Sequence, residues 1–288
     1  MKNLKYLFLA LVLSAGVVAC SDDDNNDPKP TVPGTPVETP EQTPDTIPTE
    51  PTVPTVPTAP VASNVSSIKL YDAENEGFYE LVTLVRNDEG KVTEITEANY
   101  TPEGTVQGES MVSTVTYAEG EVVVSNDYGK AVYAFDAAGK VASSEYIVVE
   151  DGEEYLYWTT TYNYTEAGLL SSIIVDMDGE TMPLCEIAYG ADNNMSSITV
   201  EEEEIDVTVS EILNEGSLDV NLLLLGSGYL EDVTYAIWSG LLSGTGAVVN
   251  SMYEGYITYE VTLDEAANIS AVVVAEEGET VMNVELAY

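Results

Sequence analysis

From about residue 62 to the end, the chain repeats one pattern: runs dominated by Val, Ile, Thr and Tyr, separated by tight turns. Such residues fit the pleated, half-buried surface of a strand. No stretch sustains a 3.6-residue apolar period except Tyr229 to Leu242, where Glu231 and Asp232 suit the positive end of a short helix. Two kinds of turn alternate. Asp151-Gly152, Asp178-Gly179 and Glu277-Gly278 each sit between β-rich runs, and glycine supplies the positive φ of a tight hairpin. The second turn is longer, as in Tyr133-Ala-Phe135-Asp-Ala-Ala-Gly139-Lys-Val141 and again in Tyr162-Asn-Tyr164-Thr-Glu-Ala-Gly168-Leu-Leu170. Ile187 to Met195 keeps its spacing with Asn193 in the glycine place, and asparagine tolerates the left-handed region. Leu84 to Val92, with Gly90, and Val261 to Ile269, with Ala267, are degenerate copies. The intervals from Gly139 to Gly168 to Asn193 define a two-strand unit of just under about 30 residues, which buries its apolar face on its neighbours. The expected fold is therefore all-β. A long antiparallel meander of hairpins closes into a barrel or barrel-like sheet, because open edges invite aggregation, with one short helix near 229–242.

The amino terminus follows different rules. Lys2 and Lys5 precede a continuous apolar run from Leu7 to Leu13, followed by the small residues Ser14, Ala15 and Gly16. That run is too short for a bilayer, which takes ~20 apolar residues, and suits a signal peptide over residues 1–19. Val17-Val18-Ala19-Cys20 resembles a bacterial lipobox, which makes Cys20 the lipidated first residue of the mature chain. Ser21, Asp22, Asp23 and Asp24 follow at once and resemble the surface-export signal of Bacteroidales-type lipoproteins. Residues 20–27 thus form the anchor and acidic export segment. Residues 28–61 are a Pro/Thr-rich tether: eleven of the 13 prolines lie there, so the segment favours extended polyproline II and builds no core. At ~3.1 Å per residue it reaches about 100 Å. Asp45-Thr46-Ile47 resembles an O-glycosylation triplet, with Thr46 the acceptor. Residues 62–288 are long enough for one substantial domain.

Within that domain, a repeated aromatic-x-x-x-Gly-x-apolar-Ser-Ser-Ile unit, as in Tyr164 to Ile173, recurs. Together with Leu218-Asp-Val-Asn-Leu-Leu-Leu-Leu225, a Leu/Gly stretch from Trp238 to Gly246, and Tyr256-Ile257, it resembles an uncharacterised family of Bacteroidales surface lipoproteins with a porin-like fold. The resemblance covers most of 66–288. It implies an antiparallel barrel on a lipid anchor and carries no activity or functional residues.

Charge narrows the partners. From residue 63 onward 43 Asp and Glu face five Lys and Arg, a net charge of −38. Phosphate backbones are bound through lysine and arginine, so nucleic acid is excluded as a partner, and the membrane is reached through the lipid alone. The chain has no histidine, which removes Ser-His-Asp and Cys-His catalysis and every histidine-ligated metal. With Cys20 lipidated, Cys185 stands alone and reads as a buried strand residue. Gly226-Ser-Gly228 lacks the lysine and helix context of a phosphate loop. Glu201 to Glu204, and Asp176 with Asp178 and Glu180, have the chemistry of calcium ligands, but both read as solvated turns. No catalytic, cofactor or metal residues are assigned.

Aromatic density is the remaining signal. Tyr155, Tyr157, Trp158, Tyr162 and Tyr164 crowd one expected strand, where alternation sets Tyr155 and Tyr157 against Trp158, Tyr162 and Tyr164. One set fills the interior and the other offers rings to a glycan or protein, or all of them are core. The leading reading is a non-catalytic, lipid-anchored outer-membrane lipoprotein facing the extracellular side, of unassigned specific activity, that either binds glycan or protein or simply contributes to the cell envelope. Two alternatives stand beside it: a glycan-active enzyme with paired carboxylates, and a membrane-spanning barrel. The second draws on the alternately apolar ending Met282, Val284, Leu286 and Tyr288.

Overall fold

The computed structural model describes residues 64–73, 77–200, 202–214, 218–226, 230–242 and 244–288. The signal peptide, Cys20, the Ser21–Asp24 export segment and the tether with Thr46 lie outside the described residues.

Sixteen antiparallel strands form one closed barrel in meander order. The first eight are β1 (Ser67–Asp72), β2 (Tyr79–Arg86), β3 (Val92–Tyr100), β4 (Val106–Ala118), β5 (Glu121–Ser125), β6 (Gly129–Phe135), β7 (Val141–Glu150) and β8 (Glu153–Tyr164). The rest are β9 (Leu170–Met177), β10 (Glu180–Tyr189), β11 (Met195–Val200), β12 (Glu203–Leu213), β13 (Ala247–Met252), β14 (Ile257–Leu263), β15 (Ile269–Glu276) and β16 (Glu279–Ala287). Each strand pairs with its neighbours in the chain, and β1 closes on β16 from Ser67↔Ala287 to Asp72↔Met282. Closure leaves no permanent edge to template aggregation.

The two turn types favour opposite ends. The longer turns at β2–β3, β6–β7, β8–β9, β10–β11 and β14–β15 lie at the end where the chain enters β1, and a sixth with the same hydrogen bonds, Thr101 to Thr105, joins β3–β4 at the other end. In each, the first residue accepts from the fourth and donates to the fifth, as when Gly139 N donates to Asp136 O at 3.0 Å and Asp136 N to Lys140 O at 2.8 Å. The fourth residue must be left-handed, and all five expected positions are: Gly90, Gly139 and Gly168 at φ 77°, 79° and 81°, Asn193 at 62° and Ala267 at 65°. Asn87, Asp136 and Asp264 complete their turns by accepting two backbone N–H groups on a side-chain oxygen. The repeated tyrosine before the turn has a matching purpose. Tyr164, Tyr189 and Tyr288 donate their phenols to the carbonyls of Val141, Leu170 and Ile269, each the first residue of the preceding strand. At the distal end, Asp151-Gly152, Asp178-Gly179 and Glu277-Gly278 have positive φ at both positions, the twist that matches a two-residue hairpin.

Strand alternation sorts apolar side chains inward. On β14 Ile257 and Tyr259 are buried while Thr258, Glu260 and Thr262 are exposed; on β12 Ile205 and Val207 are buried while Glu204, Asp206 and Thr208 are exposed. Each fully buried Val, Leu or Ile contributes ~1.5–3 kcal/mol. Cys185, on β10, is buried among them.

Between β12 and β13 the chain turns into the lumen as two short helices, α1 (Val220–Gly226) and α2 (Glu231–Trp238). The segment leaves β12 at the proximal end, yet the Tyr235 hydroxyl accepts from Asn126 Nδ2 in the distal β5–β6 turn at 3.1 Å, so it runs up the inside of the barrel. Helix α2 falls within the expected 229–242. Helix α1 is a second helix, and it has no amphipathic signature because Leu222, Leu223, Leu224 and Leu225 are all buried.

Candidate functional site

Three groups of residues have chemistry beyond packing: a distal hairpin, the buried carboxylates of the inserted segment, and a luminal glutamate.

The distal hairpin is the upper part of β7–β8. Strand β6 begins at Gly129, opposite Val148, and β9 meets β8 only up to Thr159↔Asp176, so residues 149–158 rise past their neighbours. A bulge between Tyr146 and Ile147 leaves Tyr157 without an opposite residue. Below the bulge Trp158 is buried and stacks on Tyr146 at 4.4 Å between ring centres. Above it the side chains open to solvent: Leu156 is 58 % exposed, Tyr155 52 % and Tyr157 49 %. Tyr128 joins them at 65 % exposure, its carbonyl accepting from Val149 N at 2.8 Å. Gly129 permits this junction, since a Cβ there would stand 2.4 Å from the Ile147 carbonyl oxygen. The five aromatics singled out from sequence therefore divide in three ways. Tyr155 and Tyr157 face solvent, Trp158 and Tyr162 belong to the core, and Tyr164 holds a turn through Val141. The Tyr162 phenol is pushed far up by burial and then by nearby Asp232, and it sits 3.0 Å from Ser144 Oγ.

The inserted segment is fixed by two buried aspartates. Asp232, in the first turn of α2, takes hydrogen bonds from Ser144 Oγ on β7 at 2.5 Å and from Thr160 Oγ1 and Trp158 Nε1 on β8 at 2.7 and 3.0 Å. Tyr133 on β6 donates to its carbonyl. Asp219 precedes α1 and receives Thr245 Oγ1 at 2.7 Å, Asn214 Nδ2 at 2.6 Å and the Leu222 and Thr245 amides at 3.1 Å. Burial still pushes the Asp219 carboxyl above its usual range, more than those bonds pull it down. Asn221 adds a strand-like link, donating to Ala247 O and accepting from Val249 N. Both carboxylates are occupied in holding the segment to the wall. Sequence reading passed over Asp219, although an acid in the run Leu218 to Leu225 already implies a buried, hydrogen-bonded group.

The luminal glutamate is Glu97 on β3. Burial first, then the charges of Glu80 and Glu231, push its carboxyl up to about 7, and its Oε1 is buried without a hydrogen-bond partner. Burial also pushes Glu80 up.

The acidic clusters adopt turn roles. Asp176 accepts from Gly179 N and Thr181 Oγ1 within its hairpin, and Glu204 accepts from Ser197 Oγ. Glu201 lies outside the described residues. Among the described residues no three Asp, Glu or Cys side chains converge on a metal-sized gap.

No protein-family model matches the chain, and no curated protein matches it. Solved structures do. A porin-like protein from Bacteroides uniformis superposes with a TM-score of 0.58 at 18% identity, covering 81% of this chain and 99% of its own. A porin-like protein from Bacteroides vulgatus gives 0.50 at 13% identity, covering 78% and 98%. At these identities the likeness is one of fold: a closed antiparallel barrel of the porin-like kind.

Proposed function

We infer that this is a lipid-anchored, non-catalytic outer-membrane protein whose barrel stands outside the bilayer and presents its distal rim to a glycan or protein. The observation that carries this is the direction of the alternation. A lipid-spanning barrel needs an apolar band facing out and a lumen that tolerates polar groups. Here the apolar row faces in and Thr, Glu and Asp face out on β12 and β14. The Cys20 lipobox, the acidic segment after it and the long tether supply the attachment such a barrel requires. At the end opposite the start of β1 stand the exposed rings of the β7–β8 hairpin.

A membrane-spanning barrel is the second reading, favoured by the porin-like neighbours. Its sequence pointer, the alternating carboxy-terminal strand, turns inward: Val284 and Leu286 are buried, and Tyr288 holds the Ile269 carbonyl. A single preparation separates the two. Residues 63–288 should be soluble and monodisperse without detergent. Aggregation that only detergent reverses would favour the spanning barrel. Cys20→Ala should release the protein from membranes or leave the precursor uncleaved, and a mature, membrane-bound variant would remove the anchor.

A further inference from the structure

The distal hairpin combines two features found together nowhere else among the described hairpins. Its upper part exposes Val149, Tyr155, Leu156 and Tyr157 beside Tyr128. Its tip is strongly acidic: Glu150 stands directly opposite Glu153, with Asp151 in the turn and Glu154 next in line. Like charges in directly opposed strand positions destabilise a hairpin. Neighbouring Lys130 is committed to Glu154 at 2.7 Å. Acid alone is not distinctive, because Glu276 and Glu279 face each other in the same way around Glu277-Gly278. That tip has no cluster of exposed rings.

We propose that the β7–β8 tip with Tyr128 docks a cationic polypeptide segment, one that sets lysine or arginine beside apolar or aromatic side chains. The charge sign selects among occupants. A second copy would bring its own net −38 from residue 63 onward against this tip, and nucleic acid is repelled for the same reason. A neutral glycan would stack on the rings but leave Glu150 and Glu153 opposed. A basic segment uses both features. Its ammonium or guanidinium heads sit between Glu150 and Glu153 and over the Tyr155 ring, while the stems lie along Tyr155 and Val148, which alternation places on the same face of the hairpin. Docking removes the repulsion that the free tip carries, so the acid pair contributes to affinity as well as to sign.

This rests on the reading of the distal rim as the presented face, and its test is independent of the anchor. The mature lipidated protein in detergent micelles is titrated with a fluorescein-labelled heptapeptide alternating Lys with Tyr and Leu. Controls are the peptide with Glu for Lys, the peptide with Ser for Tyr and Leu, and a neutral glucan hexasaccharide. The Lys peptide should bind with the tightest Kd of the four. The triple variant Tyr155→Ser, Leu156→Ser, Tyr157→Ser keeps every charge and should weaken it about tenfold. The pair Glu276→Gln, Glu279→Gln removes two distant charges and should change it by less than about twofold. The pair Glu150→Lys, Glu153→Lys should reverse the preference toward the Glu peptide, which keeps the test decisive if the triple variant melts early. Equal weakening by the tip and the distant pair would mean diffuse attraction and overturn the proposal. So would the absence of peptide binding, or hexasaccharide binding that the triple variant loses. Fractionation of Cys20→Ala scores the anchor separately.

Discussion

Glu97 allows the luminal electrostatics to be measured as stability. In the unfolded chain its carboxyl titrates near 4.5, and in the barrel near 7. The folded state therefore holds the proton more tightly. Whatever stability the protonated form provides is complete below pH 4.5 and is lost as pH rises through about 7. At ~1.36 kcal/mol per unit the full shift corresponds to ~3.4 kcal/mol. Glu97 is only partly buried, so solvent screening reduces the expected effect to about 1–2 kcal/mol. Glu97→Gln keeps the shape of the side chain and removes the charge. Its advantage over the parent should be near zero at pH 4.5 and grow to about 1–2 kcal/mol at pH 8. Urea denaturation of both proteins across that range, with the slope m checked for constancy, measures the difference. A pH-independent difference, or a variant less stable than the parent at pH 8, would refute the reasoning.

Three further expectations concern the frame. Asp232→Ala strands Ser144, Thr160 and Trp158 without their shared acceptor and should cost about 3–5 kcal/mol in thermal or urea unfolding. Ala267→Gly relieves a left-handed alanine and should stabilise by ~1 kcal/mol, whereas Gly139→Ala should destabilise by at least as much. Trp158→Ala should cost about 3–5 kcal/mol, while Tyr155→Ala should stay within ~0.5 kcal/mol of the parent. A parent-like melt for Trp158→Ala would place that ring outside the core.

Local chemistry was the most legible part of this chain. Five of the six long turns could be located from spacing, including the two where Asn193 and Ala267 replace glycine, because a left-handed position leaves its mark within a few residues; the turn from Thr101 to Thr105 was missed. Strand count and barrel closure were not legible in the same way, since nothing near Ser67 points to Ala287. Helix α1 was hidden for a related reason: burial on all sides erases the period that marks a helix. The aromatic strand was half legible. Alternation separated Tyr155 from Trp158, but the bulge at Tyr146 and the phenol link of Tyr164 to Val141 depend on neighbouring strands. Asp219 and Asp232 acquire their roles only when β7, β8 and the stretch around Thr245 converge on them.

The seam between β1 and β16 has a temporal meaning. Ser66 Oγ donates to the Ala287 carbonyl, 221 residues further along the chain. The first strand to emerge during synthesis must wait for the last before its outer backbone groups find partners. Until then every intermediate, however many hairpins it has formed, keeps two unpaired edges and cannot seal its apolar interior. Such a chain folds in its final form only where it is released whole, and the self-repulsion of its many carboxylates keeps the incomplete sheets apart while it waits.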